Sequence, residues 1–389
     1  MSCSCYGVGM SILKDVHVGL EAELGEFGGA TIALNYGEVG GEYAAMKKAC
    51  GLFDASHRGV LEVTGQDRHK FLNNLLSNDT SFDAGHVRGA FLLNGKGRVA
   101  MDMNLIEVDA NTTWIETARA NVPVLTKLLD RYLFAEKVVL KDRNADLATL
   151  WLVGPGAATL ASTAFGGDVL TQPMSCQTTS GVTTWRDDHD QLIVIGVILD
   201  STKLVETWHR LVEQFGKELS TGRRALRAVG WNAFNVVRVE AGRPIAGIDF
   251  ELAPPAFPGR KEQNAGLEEV ALPTSAYLLP AETGLLDRNV SFTKGCYLGQ
   301  EVVARMHSRG QLARKLVRVW MDGDELPIAG GQVFDAAGVD QIGVVTSSAP
   351  SPASSNRAVA IALIKKGAFA PGSLLKIPAE GAMRSGTVG

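Results

Sequence analysis

Strand-like and helix-like patterns of hydrophobic residues alternate along the first 215 residues. Residues 60–63 alternate as a half-buried β-strand does, whereas Phe71, Leu72, Leu75 and Leu76 recur at the spacing of one helix face. Further along, the pattern predicts strand 112–117, helix 122–133, strand 137–140, strand 148–153, helix 156–164, strand 192–198 and helix 202–215. Strands and helices alternate over residues 148–215 as they do over residues 112–140. We therefore predict an α+β body built from two related halves.

Two apolar runs meet at a turn sequence. Residues 87–93 and 99–108 flank Asn94-Gly95-Lys96-Gly97, and an Asn-Gly pair between two such runs predicts a β-hairpin. Residues 95–100 also match the letters of the dinucleotide fingerprint Gly-x-Gly-x-x-Ala. That motif requires a following helix, however, and residues 101–106 alternate as a strand does. The pattern therefore argues against a dinucleotide-binding fold.

Changes in composition and in hydrophobic pattern divide the chain into four segments. Residues 1–41 contain nine glycines and no long periodic run, which predicts an irregular N-terminal arm. We assign residues 42–145 to the first α+β half and residues 146–310 to the second. The second half includes a loop, rich in Pro, Gly and Ala, that crosses the body at 242–276. From residue 311 to 389, short strands separated by turn residues predict a small all-β barrel.

Charge and cysteine usage narrow the class of protein. The chain of 389 residues carries 38 Lys and Arg against 42 Asp and Glu, and a net charge of −4 argues against a nucleic-acid-binding protein. Five scattered cysteines without a Cys-x-x-Cys, and seven separated histidines, indicate a reducing compartment and no zinc site. No apolar run reaches the roughly 18 residues of a membrane span, and residues 1–20 lack the apolar core of a signal peptide. We therefore expect a cytoplasmic protein.

The segment from Lys294 to Glu301 carries the candidate chemistry. It reads Lys-Gly-Cys-Tyr-Leu-Gly-Gln-Glu and places the Cys296 thiol beside a lysine, between glycines that let the backbone approach a ligand closely. A neighbouring cation favours the thiolate, which is the nucleophilic form of cysteine. A lone cysteine in a loop also fits a purely structural role, and the residues alone leave both interpretations open.

This motif resembles the signature of the YgfZ-type folate-binding proteins, which maintain iron–sulfur clusters. Those proteins share a superfamily with the glycine-cleavage T-protein, an aminomethyltransferase. Residues 51–59, 63–79, 237–244 and 343–352 also resemble T-protein segments, so that the likeness extends over roughly residues 36–380. The resemblance implies a T-protein-like body of two α+β halves around a central folate cavity, followed by the C-terminal barrel.

The resemblance also implies a cofactor, partners and site residues. Tetrahydrofolate is the expected cofactor, and iron–sulfur enzymes or their assembly proteins are the expected clients. A folate-dependent aminomethyltransferase or demethylase is one alternative, and a scaffold without catalysis is another. The implied catalytic residues are Asp102, Cys296 and Lys294, and the implied folate-binding residues are Asp102, Arg238, Glu240, Tyr297, Gln300 and Glu301.

Three observations bear on these assignments. Asp102 falls where T-proteins carry a carboxylate near the folate, and such a group can take a proton or stabilise positive charge, although a solvent-facing strand residue is the simpler interpretation. Arg238 and Glu240 fit an ion pair as well as a ligand site. The T-protein segment Thr-Gly-Tyr-Thr-Gly-Glu, whose Glu holds the pterin ring, has no counterpart in residues 185–196. This departure puts aminomethyl transfer in doubt without excluding folate binding.

Overall fold

A computed structural model describes residues 11–218, 224–255, 277–310 and 312–389. The α-helices are α1 (Lys14–Gly19), α2 (Val39–Lys48), α3 (Arg68–Asn73), α4 (Val122–Asp130), α5 (Ala157–Phe165), α6 (Leu204–Phe215), α7 (Trp231–Glu240), α8 (Leu286–Asn289) and α9 (Gln300–Arg309). The β-strands are β1 (Glu23–Phe27), β2 (Ala30–Asn35), β3 (Gly51–Asp54), β4 (Arg58–Thr64), β5 (Val87–Leu93), β6 (Val99–Asp109), β7 (Thr112–Ala118), β8 (Val139–Asp142), β9 (Leu147–Val153), β10 (Cys176–Thr179), β11 (Val182–His189), β12 (Leu192–Asp200), β13 (Arg227–Ala228), β14 (Arg314–Met321), β15 (Gln332–Phe334), β16 (Gln341–Ser351), β17 (Arg357–Lys365), β18 (Leu374–Ala379) and β19 (Ala382–Val388).

Two sheets carry the N-terminal body. One has the strand order β5-β6-β7-β4-β8, and the other has the order β10-β11-β12-β9-β3-β13 with β13 parallel to β3. Helix α4 follows β7, and helix α5 follows β9, as the hydrophobic pattern predicts. The predicted α+β body is confirmed.

The chain forms two compact units, and each draws on segments that are distant in sequence. The first comprises the described residues up to Leu72, together with Thr80–Gly89 and Met103–Phe234. The second comprises Asn73–Asp79, Ala90–Asp102 and the described residues from Asn235 to Gly389. The boundaries predicted at 41, 145 and 310 divide the chain into consecutive segments. Each compact unit instead combines stretches that are separated in sequence.

The prediction of an irregular arm over residues 1–41 is wrong for the described part of that segment. Helix α1 lies there, and β1 pairs with β2 as an antiparallel hairpin whose turn contains Gly28 and Gly29 at φ angles of 59° and 78°. His17 of α1 is buried, and its Nε2 lies 2.8 Å from Asp54 Oδ2. Glycines that suggested a loop instead supply the left-handed backbone of a tight turn.

Strands β14 to β19 form a closed barrel in the order β14-β17-β16-β15-β18-β19. Alternate residues of each strand point inward, so that Val319 and Met321 of β14 meet Ala360, Ala362 and Ile364 of β17 in the core. The predicted C-terminal barrel is confirmed.

The hairpin around Asn94 is also confirmed. The Asn94 backbone N–H donates to Arg98 O at 3.0 Å, and the Asn94 side-chain oxygen accepts from the N–H groups of Lys96 and Arg98 at 3.0 and 3.1 Å. Gly97 adopts a φ of 69° within this turn. The side-chain amide of Asn94 therefore fixes the loop from which β6 departs.

Neither a membrane-spanning helix nor a metal-ion cluster occurs in the described ranges. None of their helices has the length and apolar character needed to cross a membrane. In the same part of the chain, no His, Cys, Asp and Glu side chains group as they do around a metal ion.

Candidate functional site

The loop between α8 and α9, which carries Lys294 and Cys296, is organised by the lysine. The ammonium group of Lys294 donates to the backbone oxygens of Asn73 and Leu76, the latter at 2.9 Å. It also lies 4.5 Å from the centre of the Tyr297 ring, close enough for a cation–π interaction. The Cys296 side chain is exposed. The motif thus presents a thiol to solvent on a loop that its lysine anchors.

The environment of this loop shifts two of its pKa values. Burial lowers the pKa of Lys294 to about 8, and the nearby Asp79 and Cys296 side chains oppose that shift. Burial raises the pKa of Tyr297 to about 12. At pH 7 the lysine is therefore mostly a cation and the tyrosine is neutral.

Hydrogen bonds join the start of the loop to residues 73–79. Ser77 Oγ donates to Asn289 O at 2.6 Å, and Asn78 Nδ2 donates to Arg288 O at 2.9 Å. The Ser291 backbone N–H donates to Ser77 O at 3.0 Å. Together with the two bonds from Lys294, these contacts fix the path of the chain on both sides of Ser291.

The end of the loop packs against the hairpin turn. Gly299 precedes α9 at a φ of 79°, and a Cβ added there would lie 2.7 Å from Asn94 O and 3.1 Å from Gly97 Cα. Gly97 is equally close to α9, because its own added Cβ would lie 2.8 Å from Val302 Cβ. The glycines of the two motifs therefore permit a close backbone contact within the second unit.

Gly299→Ala is expected to lower the free energy of unfolding by about 1–3 kcal/mol, because alanine is strained at this φ and its Cβ meets backbone. Gly295→Ala is the matched control, since an added Cβ there has no neighbour within 4 Å among the described residues. Urea unfolding of both variants measures the difference. Equal losses in the two variants would contradict this account.

Asp102 is half-buried near the start of β6 and belongs to the same unit as the motif loop. Its Oδ1 accepts a hydrogen bond from Asn289 Nδ2 at 2.8 Å. This carboxylate is therefore only partly exposed to solvent and has a hydrogen-bond partner within its unit. Asn289 lies five positions before Lys294, so one short segment reaches both predicted catalytic residues.

Arg238 and Glu240 lie on α7 within networks internal to the second unit. The Arg238 guanidinium is buried and donates to Asp249 Oδ2 at 2.6 Å and Ser347 Oγ at 2.7 Å. The buried Glu240 carboxylate accepts from Ser351 Oγ at 2.6 Å. Asp249, and not Glu240, is thus an ionic partner of Arg238. The folate-binding roles of Arg238 and Glu240 stay predictions.

The remaining predicted ligands differ in exposure. Gln300 is half-buried at the first position of α9, whereas Glu301 is exposed and pairs with Arg305 one turn later. In the first unit, residues 185–196 lie on β11 and β12, where Arg186 pairs with Asp188 at 2.8 Å. The folate-binding roles of Tyr297, Gln300 and Glu301 also stay predictions.

The other cysteines divide into two kinds. Cys50 and Cys176 are buried, and burial raises the pKa of each thiol to about 12, so both are inert at neutral pH. Cys3 and Cys5, which form a Cys-x-Cys near the start of the sequence, lie outside the described residues.

The sequence interpretation missed three residues that build the site, namely Asn289, Arg288 and Ser77. Ser77 is buried and connects strand β5 to the motif loop, since it also accepts from the Phe91 N–H at 2.8 Å. Polar residues between apolar neighbours, as in Leu285-Leu286-Asp287-Arg288-Asn289-Val290, were the available signal.

Comparison with known proteins identifies two domains. The GCVT N-terminal domain matches residues 13–182, and the glycine cleavage T-protein C-terminal barrel domain matches residues 314–388. The aminomethyltransferase of Saccharopolyspora erythraea is 25% identical over 386 residues, covering 95% of this chain and 93% of the relative. That of Symbiobacterium thermophilum is 27% identical over 353 residues, covering 87% and 85%.

A solved structure shares the fold. Aminomethyltransferase T of the glycine cleavage system from Bartonella henselae superposes with a TM-score of 0.81 at 20% identity, covering 98% of this chain and 97% of that one. The domain matches, the relatives and the common fold agree with one another. The chain belongs to the glycine-cleavage T-protein superfamily.

Proposed function

We propose that this protein is a tetrahydrofolate-dependent aminomethyltransferase in which Asp102 is the catalytic carboxylate. The observation that carries the proposal is the Asp102 side chain, half-buried on β6 and held by the Asn289 amide. The relatives of similar length, named aminomethyltransferases, support it. The YgfZ branch, which the motif at Lys294 to Glu301 suggests, is the second candidate.

The Asp102 carboxylate suits a ligand that bears nitrogen. A half-buried carboxylate attracts a cationic or protonated amine more strongly than an exposed one, because less water screens the interaction. When bound, tetrahydrofolate would supply the nitrogen atoms that accept the one-carbon unit. The part of this chain is then to hold Asp102 in place, so that the carboxylate takes a proton or stabilises developing positive charge.

The altered segment on β11 and β12 changes what is expected of folate recognition. An Arg186–Asp188 ion pair lies in residues 185–196, the region that by resemblance corresponds to the pterin-binding segment of the T-proteins. Without the pterin-binding Glu as a bidentate partner, we expect this protein to bind folate more weakly than its aminomethyltransferase relatives do.

A calorimetric titration with tetrahydrofolate, followed by a turnover assay with the other glycine-cleavage components, tests the proposal. Saturable binding with measurable formation of methylenetetrahydrofolate is the expected result. Binding without turnover would transfer support to the second candidate. The absence of both would overturn the proposed function.

The second candidate is a folate-binding protein that supports iron–sulfur enzymes, and the exposed Cys296 favours it. A thiol whose only task is packing would be enclosed by apolar side chains, as Cys50 and Cys176 are. Cys296 instead faces solvent, two residues from an ammonium group that is mostly charged at pH 7. This placement suits a thiol that exchanges groups with a partner.

Cys296→Ser is expected to remove one fast-reacting thiol from the native protein, because Cys296 is exposed while Cys50 and Cys176 are not. Thiol titration with and without denaturant measures this loss. In cells that lack the protein, the second candidate also predicts that Cys296→Ser fails to restore iron–sulfur enzyme activity. Cys50→Ser is the control and should restore it. Full rescue by Cys296→Ser would exclude a chemical role for this thiol.

A further inference from the structure

Asn289 is a buried amide between a cation and Asp102. Its side chain is 0% exposed, and its Nδ2 donates to Asp102 Oδ1 at 2.8 Å. Its own Oδ1 accepts from Arg288 Nη1, also at 2.8 Å. A guanidinium has donors and no acceptor, so the oxygen of the amide must face Arg288. The orientation of the amide is thereby settled, and its NH₂ group faces the carboxylate.

The backbone of Asn289 is held as firmly as its side chain. Its carbonyl oxygen accepts from Ser77 Oγ at 2.6 Å, and its N–H donates to Leu285 O at 3.0 Å. The preceding carbonyl, of Arg288, accepts from Asn78 Nδ2 at 2.9 Å. A side chain with both its backbone and its amide fixed in this way can transmit a defined geometry to the group it contacts.

We infer that Asn289 is a positioning residue that holds the Asp102 carboxylate in its reactive orientation, an inference that rests on the proposed function. The donor from Asn289 limits rotation of the carboxyl group, and a displacement of about 1 Å at a reacting group can cost about 100-fold in rate. Asn289 acts through Asp102 and does not itself meet the reacting atoms. Its loss should therefore change the turnover number and leave folate affinity nearly unchanged.

Steady-state kinetics of the full-length protein test this inference. Asn289→Ala is expected to lower kcat by about 10- to 100-fold, with the KM and the calorimetric Kd for tetrahydrofolate within about threefold of the wild type. Asn289→Leu keeps nearly the same side-chain volume but removes the donor without adding a charge, and should have the same effect. It also serves if the alanine variant does not fold. Thr283→Ala is the control, because it removes another buried hydrogen-bonding side chain just before α8.

A double-mutant cycle separates positioning from general support. On an Asp102→Asn background the carboxylate is absent, so Asn289→Ala should lower kcat by less than about threefold further. An additive loss would overturn the inference, as would a kcat for Asn289→Ala equal to that of an active wild type. A parallel fall of kcat, affinity and stability, matched by Thr283→Ala, would reduce Asn289 to a structural residue. An inactive wild-type protein would instead mean that the proposed function had failed, and this inference with it.

Discussion

Asp102→Asn is expected to lower the rate of aminomethyl transfer by about 10²- to 10⁴-fold, the range lost when a positioned acid–base group is removed. Asparagine has nearly the same shape, and its side-chain oxygen can still accept from Asn289 Nδ2, which lies 2.8 Å from Asp102 Oδ1. The folded state should therefore keep its stability within about 1 kcal/mol. Single-turnover kinetics and urea unfolding measure the two quantities on one preparation.

The neighbouring Asn104 provides a control for this experiment. Its Nδ2 donates to the buried Glu116 carboxylate at 2.9 Å. Asn104→Asp therefore places two carboxylates together and should lower the free energy of unfolding. If Asp102→Asn turns over at the wild-type rate, Asp102 is not the catalytic carboxylate. The protein would then transfer the aminomethyl group with another catalytic group.

Arg238→Met is expected to lower the free energy of unfolding by about 3–5 kcal/mol, because it leaves the buried Asp249 carboxylate without its cation. The two side chains are 1% and 0% exposed, and Arg238 Nη1 lies 2.6 Å from Asp249 Oδ2. Chemical unfolding followed by circular dichroism measures the loss. A loss of this size would mean that Arg238 contributes mainly to the stability of the folded protein.

Two further variants make the experiment on Arg238 decisive. Arg305→Met breaks an exposed ion pair with Glu301 and should cost no more than about 1 kcal/mol. Arg238→Met combined with Asp249→Asn removes both buried charges and should recover part of the stability that the single change loses. A stable Arg238→Met protein with weakened folate binding would instead support the predicted role of Arg238 as a ligand.

The sequence predicts best what is decided locally. The hairpin at Asn94 was predictable because the turn residues hydrogen-bond among themselves over a span of four positions. The hairpin of β1 and β2 was missed, because glycines at Gly28 and Gly29 indicate a turn and a loop equally well. Family resemblance, and no periodic pattern, identified Asp102 and the motif at Lys294 to Glu301.

Contacts between distant parts of the chain could not be predicted in this way. Asn289 and Asp102 are separated by 187 positions. Lys294 is held by the backbone oxygens of Asn73 and Leu76, and a carbonyl is the same in every residue type, so no letter of the sequence marks it. Arg238 fitted a ligand site or an ion pair equally well, and its partner Asp249 became evident only from burial and distance.

The discontinuous second unit has a consequence for synthesis of the protein in the cell. Lys294 follows Asn73 by 221 positions, and Asn289 follows Ser77 by 212. At about 5–20 residues per second on the ribosome, the early segments wait about 10–40 s for the partners that complete their hydrogen bonds. During that interval the apolar residues 90–93 belong to a unit that is not yet assembled. Fragments released before residue 290 lack those hydrogen-bonding partners, and we expect them to aggregate more readily than the 389-residue chain.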